Sequence, residues 1–290
     1  MIPDLSIIMA SYNADKFIGF ALDGVVSQKY DNLEVILIDG FSTDKTLEIV
    51  KKYEHILNIK ITSEKDNGVN DAFRKGFNKA KGKYICHLCA TDGYLDSTWV
   101  RNSIIFLNNN KKYSAIFSSG AMEIDENGKP KYMWRPWVQQ IYNIFPFSQH
   151  KNIAFGQGEI FPDMGWMVKR EVFLELFPDE TDVFGYGEFN PFLGFIKKLY
   201  TSNYKFAVLS QISSYGRHHE GQWGSKIPTE TKTTLQDFKK HSQRYFFSLK
   251  VKKTDICIRF LSKFLRILLF FVYGGFGYYV TKIRDRFAND

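Results

Sequence analysis

Four short polar clusters each follow directly on an apolar run: Ser11 to Asn13, Asp39, Glu64 to Asp66, and Asp92. Carboxylates and hydroxyls of this kind accept strong, directional hydrogen bonds and hold hard cations through oxygen. Any one cluster is ordinary loop composition. Four of them in the same relation to four apolar runs predict a shared site. Further along, Glu188 stands at a predicted helix start, and Arg217-His218-His219-Glu220-Gly221-Gln222 gathers cation and imidazole in one late loop. Cys86-His-Leu-Cys89 has the C-x-x-C spacing, but residues three apart in a strand point to opposite faces, so the pair is poorly placed to share a metal.

The apolar runs define the elements that must carry these residues. Leu5 to Met9, Leu33 to Ile38, Leu57 to Thr62 and Lys83 to Leu88 read as strands. Between them lie helical patterns: one reaching about Gln28, one opened by Ser42-Thr43-Asp44 and reaching about Tyr53, and Val69 to Ala80. A fourth runs from Ser97 to Leu107. A repeated strand–helix order predicts a parallel, doubly wound α/β sheet, whose ligands sit beyond the carboxyl ends of the strands. The region from Tyr113 to about Phe161 is mixed, with a good hairpin turn at Glu126 to Lys129. A strand over Ile160 to Val168 then precedes helices over Lys169 to Phe177 and Glu188 to Leu199. Two units are predicted, a catalytic-type body over residues 1–222 and a helical extension over 223–290.

Composition narrows the class. The chain has 290 residues, 44% hydrophobic and 24% charged, which suffices for a large folded core. Aromatics reach 17%, with 27 Phe and 16 Tyr, which suits carbohydrate or lipid contact as well as a Phe-heavy core. Of the net +8 charge, residues from Gly221 onward carry 14 Lys/Arg against 5 Asp/Glu, and the preceding body is near neutral. That distribution excludes a nucleic-acid-binding body and predicts a tail that meets an anionic surface. Three cysteines form no disulfide framework and fit a reducing compartment. No basic-then-apolar signal opens the sequence, so a cytoplasmic protein is expected.

Four segments, SIIMASYNADKFI, VILIDGFSTDKTLEIV, SEKDNGVNDAFRKGFNKAKGKYI and LCATDGYL, occur in an order and spacing that resembles the family 2 glycosyltransferases of GT-A fold. The subgroup most resembled assembles bacterial O-antigen and capsule. The resemblance implies an inverting transfer from a UDP-, GDP- or dTDP-sugar to a lipid-linked saccharide acceptor. By it, Ala10, Ser11, Tyr12 and Asn13 pack along the nucleoside, and Asp39 accepts from the base. Glu64, Asp66, Gly68 and Asp71 border base, ribose and sugar. Loop capping for Asp39 and helix-dipole complementarity for Asp71 are the structural alternatives. Asp92 would hold Mg²⁺ or Mn²⁺ against the diphosphate, with His219 near phosphate or metal and Arg217 neutralising charge. The family usually has two adjacent acids where this chain has Thr91-Asp92, which leaves metal dependence open. Glu188 would be the base that deprotonates the acceptor, with Asp179, Glu180 and Asp182 upstream as substitutes. Trp166 reads as an acceptor-side sugar platform or as a core residue.

In the tail, Arg259, Lys263 and Arg266 form one helical stripe beside Leu261, Phe264, Leu265 and Leu268. Ile267 to Thr281 is uncharged but glycine-broken and shorter than the roughly 20 residues of a simple span. An interfacial or re-entrant helix on the inner face of the cell membrane is therefore expected over a crossing, with a core-covering or dimer-forming helix as the alternative. The competing reading of the whole chain is a non-catalytic sugar-nucleotide-binding or scaffold protein at the membrane.

Overall fold

The computed structural model describes residues 2–133, 142–157, 165–177 and 191–220, with 257, 260, 261, 264, 265 and 268 from the tail. Strands β1 (Leu5–Ser11) and β2 (Leu33–Asp39) are buried along their whole length. That is the burial expected of continuous aliphatic runs inside a parallel sheet. The edge strand β3 (Ile59–Ser63) is partly exposed along its length instead. β4 (Tyr84–Cys89) lies on the other side of β1. These four strands pair in parallel, in the order β3-β2-β1-β4.

Helices connect them as their periodicity predicts. α1 (Ile18–Ser27) follows β1, and the short α2 (Thr46–Lys51) follows β2. α3 (Val69–Lys79) buries Ala72, Phe73, Gly76 and Phe77 as one amphipathic stripe. After β4 come a two-residue strand β5 (Gly93–Tyr94) and α4 (Trp99–Asn109).

Beyond the fourth strand the sheet departs from the parallel pattern. β6 (Tyr113–Ile124) and β7 (Pro130–Met133) form the expected hairpin around residues 125–129. α5 (Phe147–Gln157) leads on towards β8 (Trp166–Lys169), which runs antiparallel to both β4 and β6. α6 (Arg170–Leu176) and α7 (Pro191–Thr201) precede β9 (Lys205–Arg217). β9 pairs in parallel with β6 and antiparallel with β5. The complete path is β3-β2-β1-β4-β8-β6-β9-β5, a mixed sheet with the strand order and layering of a GT-A fold.

The two longest strands, β6 and β9, are the ones the sequence concealed. Serines and a glycine interrupt YSAIFSSGAMEI, and the β6–β9 register shifts near Ser118 and Gly120. The buried hydroxyls find backbone partners, Ser118 Oγ donating to Gly120 O at 2.7 Å and Ser119 Oγ to Gln211 O at 3.2 Å. A bulged strand with satisfied serines loses its apolar alternation without losing its place in the sheet.

Trp166 belongs to the core. It is 3% exposed, and its ring stacks on Phe173 at 5.3 Å, beside His87 and Phe195. The platform alternative fails because Phe173 of α6 and Phe195 of α7 pack over the indole and leave it 3% exposed. Burial also pushes the His87 imidazole down to about 3, so it stays neutral.

Candidate active site

The carboxyl ends of β1, β2 and β3 meet at Asp39. In-register pairing aligns Ser11 with Asp39 and Asp39 with Ser63. The fully buried carboxylate receives four donors. Ser11 Oγ donates to Oδ1 at 3.0 Å, and Ser42 Oγ donates to the same oxygen. The Ser42 amide donates to Oδ2 at 2.9 Å and Ser63 Oγ to Oδ2 at 2.7 Å. All four lone-pair positions of the carboxylate therefore have protein donors. This saturation is the loop-cap arrangement anticipated as the structural alternative for Asp39. The amide is fixed, whereas the hydroxyls are rotors that a ligand donor could displace. The sequence reading missed Ser42 and Ser63 as members of this knot. Aligning the last residues of three adjacent strands would have shown Ser-Asp-Ser in one row.

Around the knot, the β1–α1 and β2–α2 loops are stitched together. Gly40 N donates to Ser11 O at 2.8 Å, Asn13 N to Ser42 Oγ at 2.9 Å, and Thr43 N to Asn13 Oδ1 at 2.9 Å. Ala14 N and Asp15 N reach Thr46 Oγ1 and Asp44 Oδ2 at 2.7 and 3.1 Å. Ala10 is buried at the end of β1, while Tyr12 is 66% exposed above it.

The segment from Glu64 to Asp71 borders the same edge. Asp66 Oδ1 caps the Gly68 amide at 2.9 Å, and a Cβ on Gly40 would come within 2.8 Å of Asp66 Oδ2. Gly68 turns the chain into α3 at φ +101°, a region closed to most side chains. Lys75 bridges Glu64 at 3.0 Å and Asp71 at 3.2 Å, and Asp71 also accepts the Asn67 amide at 3.0 Å. Burial opposes ionisation of Asp71, but the Asn67 amide and the Lys75 ammonium outweigh it and hold the carboxyl below the usual range. Asp71 is thus occupied in ordering the start of α3, the structural alternative for this residue.

Asp92 lies beyond β4, 6% exposed. Its Oδ1 accepts the backbone N–H of Arg217 at 2.9 Å, across 125 residues of sequence. The Arg217 side chain departs from the diphosphate role expected of it. It is buried, and Nε donates to Thr91 O at 3.2 Å while Nη1 donates to Glu126 O at 2.9 Å and Asp125 O at 3.4 Å. The rings of Phe17, Phe20 and Tyr215 surround the guanidinium at 5.0, 5.3 and 5.5 Å. β9 ends against both Asp92 and the β6–β7 turn, so the nearest acceptors for the fork are carbonyls of those two loops. Arg217 is a strut between them.

The adjacent histidines diverge, as residues next to each other in an extended chain must. His218 Nε2 meets Glu123 Oε2 at 2.8 Å, and His219 packs on Phe17 at 5.0 Å with Nδ1 against Glu220 O. His219 and Arg217 therefore share one aromatic neighbour beside Asp92. Among the described residues no three His, Cys, Asp or Glu side chains gather as a metal cage. A lone carboxylate at the strand end fits a hard divalent ion only if a bound diphosphate and water complete the shell, a common arrangement for Mg²⁺. Glu188, with Asp179, Glu180 and Asp182, lies outside the described residues.

Known proteins resemble this chain in sequence and in fold. The profile of glycosyl transferase family 2 matches residues 6–177. WfaP of Escherichia coli, a UDP-Glc:alpha-D-GlcNAc-diphosphoundecaprenol beta-1,3-glucosyltransferase, is 34% identical over 109 residues, 38% of this chain and 43% of that protein. TarS of Staphylococcus aureus, a poly(ribitol-phosphate) beta-N-acetylglucosaminyltransferase, is 24% identical over 168 residues, 54% of this chain and 29% of TarS. The chain thus spans less than half the length of these curated relatives. The crystal structure of TarS 1–349 with UDP-GlcNAc superposes with a TM-score of 0.60 at 18% identity, covering 89% of this chain and 79% of that one. The mannosyltransferase PcManGT of Pyrobaculum calidifontis, solved with GDP-Man and Mn²⁺, gives 0.56 at 18%, covering 91% and 74%. With the matched profile spanning more than half of the sequence, on the elements that build the Asp39 and Asp92 ends, the chain belongs to glycosyl transferase family 2.

Proposed function

We propose that this protein is an inverting glycosyltransferase that moves a sugar from a UDP-, GDP- or dTDP-sugar to a lipid-linked saccharide in cell-surface polysaccharide synthesis. The observation that carries the reading is the convergence of Asp39, the Glu64–Asp71 segment and Asp92 on one carboxyl edge, inside a family 2 domain. The UDP-GlcNAc bound by TarS and the diphosphoundecaprenol acceptor in the name of WfaP support the donor and acceptor classes.

In this reading the Asp39 end takes the base, with a serine hydroxyl yielding to a base N–H. Glu64, Asp66 and Gly68 border ribose and sugar. The Asp92 end takes the diphosphate, where Asp92 would hold a Mg²⁺ or Mn²⁺ ion whose charge favours departure of the nucleoside diphosphate. Glu188 removes the proton of the acceptor hydroxyl. The acceptor oxygen bonds to the anomeric carbon as the carbon–oxygen bond to the diphosphate breaks, the bonding pair leaving with the nucleoside diphosphate. Single displacement on the opposite face inverts the centre.

Residues 223–290 form the membrane-associating extension of the body over 1–222, placing the enzyme on the cytoplasmic face of the cell membrane. Phe260, Leu261, Phe264 and Leu268 are exposed in it, and the tail carries the positive excess. Such a face suits an interfacial segment on anionic lipid. Among the described residues no helix is long and apolar enough to cross a membrane.

The test is nucleotide release from UDP-, GDP- and dTDP-sugars by purified protein in detergent with lipid extract. Each donor is run with Mn²⁺, with Mg²⁺ and with chelator. Metal-dependent release from one donor, lost in Asp92→Ala and in Glu188→Gln, is the expected result. The second reading, a non-catalytic sugar-nucleotide-binding scaffold, draws on Thr91 standing where a second acid is usual. Nucleotide binding without release from any donor would favour it.

A further inference from the structure

Phe41 is unusual in two respects. Its φ of +67° lies in the left-handed region, where a bulky side chain crowds its own backbone. Its ring is also 56% exposed, so core packing does little to offset that strain. The conformation is imposed by neighbours on both sides. The Gly40 amide is tied to Ser11 O at 2.8 Å, and Ser42 is tied to Asp39 through its amide at 2.9 Å. A strained residue held this firmly and left open to solvent is a mark of a ligand site.

Its position points to the ligand. One inter-loop link joins Gly40 to Ser11 and the next joins Ser42 to Asn13. Position 41 on one loop and position 12 on the other are thus enclosed by the same two links. Tyr12 is 66% exposed and Phe41 56%, so each of the two linked loops, at the ends of β1 and β2, carries one ring open to solvent. Asp92 and its metal chemistry belong to the end of β4, on the other side of β1. Phe41, following β2, therefore lies at the Asp39 end, one strand further from Asp92 than Tyr12. Flat π-faces match a flat heteroaromatic ring better than a hydroxylated sugar or a diphosphate.

We infer that Phe41, on the loop linked to that of Tyr12, is a specificity-determining residue that presents an aromatic face to the base of a bound nucleoside diphosphate. The inference rests on the nucleotide-sugar reading above and adds a residue to it. The links at Gly40 and Ser42 hold the strained backbone at Phe41 without ligand, and stacking on the base contributes when ligand binds.

The experiment measures UDP, GDP and dTDP affinity calorimetrically for the full chain and for Phe41→Gly, Phe41→Ala and Phe41→Tyr, with thermal midpoints for each. Loss of one stacking face weakens the preferred nucleotide about tenfold in the Gly and Ala variants. Phe41→Tyr keeps the ring and stays within about twofold. Phe41→Gly melts about 2 °C higher, because relief of the left-handed strain exceeds the entropy glycine adds to the unfolded chain. Unchanged affinity in the Gly and Ala variants overturns the inference while leaving the nucleotide reading intact. A lower melting point for Phe41→Gly also overturns it, since the ring would then be a packing residue. Failure of the parent chain to bind any of the three nucleotides overturns the nucleotide reading itself, and this inference with it.

Discussion

Arg217→Lys separates two jobs that a buried cation beside Asp92 can have. As a strut, the guanidinium bonds Thr91 O at 3.2 Å, Glu126 O at 2.9 Å and Asp125 O at 3.4 Å. A lysine ammonium ends in a single point donor and keeps at best the shortest of the three. The two longer bonds are lost, each worth about 1 kcal/mol at such lengths. The stacking of a planar cation over Phe17, Phe20 and Tyr215 loses about 0.5 kcal/mol more. The total of about 2.5 kcal/mol lowers the melting point by roughly 5–10 °C. The backbone N–H that Asp92 accepts survives the substitution, but the two loops it sits between are no longer braced. Turnover therefore falls about tenfold, a displacement cost of about 1.4 kcal/mol, while nucleotide affinity without metal is unchanged. Thermal denaturation, calorimetric nucleotide binding and nucleotide release on the same preparations provide the readouts. An unaltered melting point together with nucleotide affinity weakened tenfold or more, about 1.4 kcal/mol, would refute the strut. That outcome would return Arg217 to direct contact with the diphosphate.

Two further outcomes follow from the packing. Trp166→Ala removes a 3% exposed indole stacked on Phe173; it costs about 3–5 kcal/mol of stability, seen in chemical denaturation, and leaves the acceptor KM of the folded fraction unchanged. Glu34 has a fully buried side chain that meets Lys60, Ser6 Oγ at 2.6 Å and the Lys81 amide at 2.9 Å. Burial opposes its charge, but those three donors outweigh it and depress the carboxyl below its ordinary 4.5. A depressed carboxylate contributes stability above the unfolded value and loses it as pH falls through the folded one. Unfolding free energy of the parent should therefore drop below pH 4.5 more steeply than that of Glu34→Gln, as urea titrations across that range would show.

The order of the first four strand–helix units, and the four polar ends on which a site could be built, were legible in the residues themselves. Continuous aliphatic runs such as LEVILID and the amphipathic stripe of α3 are local signals, and local periodicity survives without knowledge of the rest of the chain. The family could be read from the same hundred residues. Other features depended on non-local pairing. The bulges and serines of β6 hid the strand that pairs with β9, and β9 is what carries Arg217 to Asp92. β8 inserts between β4 and β6, and the packing of Phe173 and Phe195 on that strand turned Trp166 from a possible sugar platform into a core residue. Asp39 was visible as an acid at a strand end, but its four donors come from the two flanking strands and a loop. The left-handed turn that exposes Phe41 arises from links between two loops. Sequence determined which groups lie at the ends of which elements. Tertiary structure decided which of those groups satisfy one another and which remain open, because burial and hydrogen-bond saturation belong to neighbours that only the folded chain brings together.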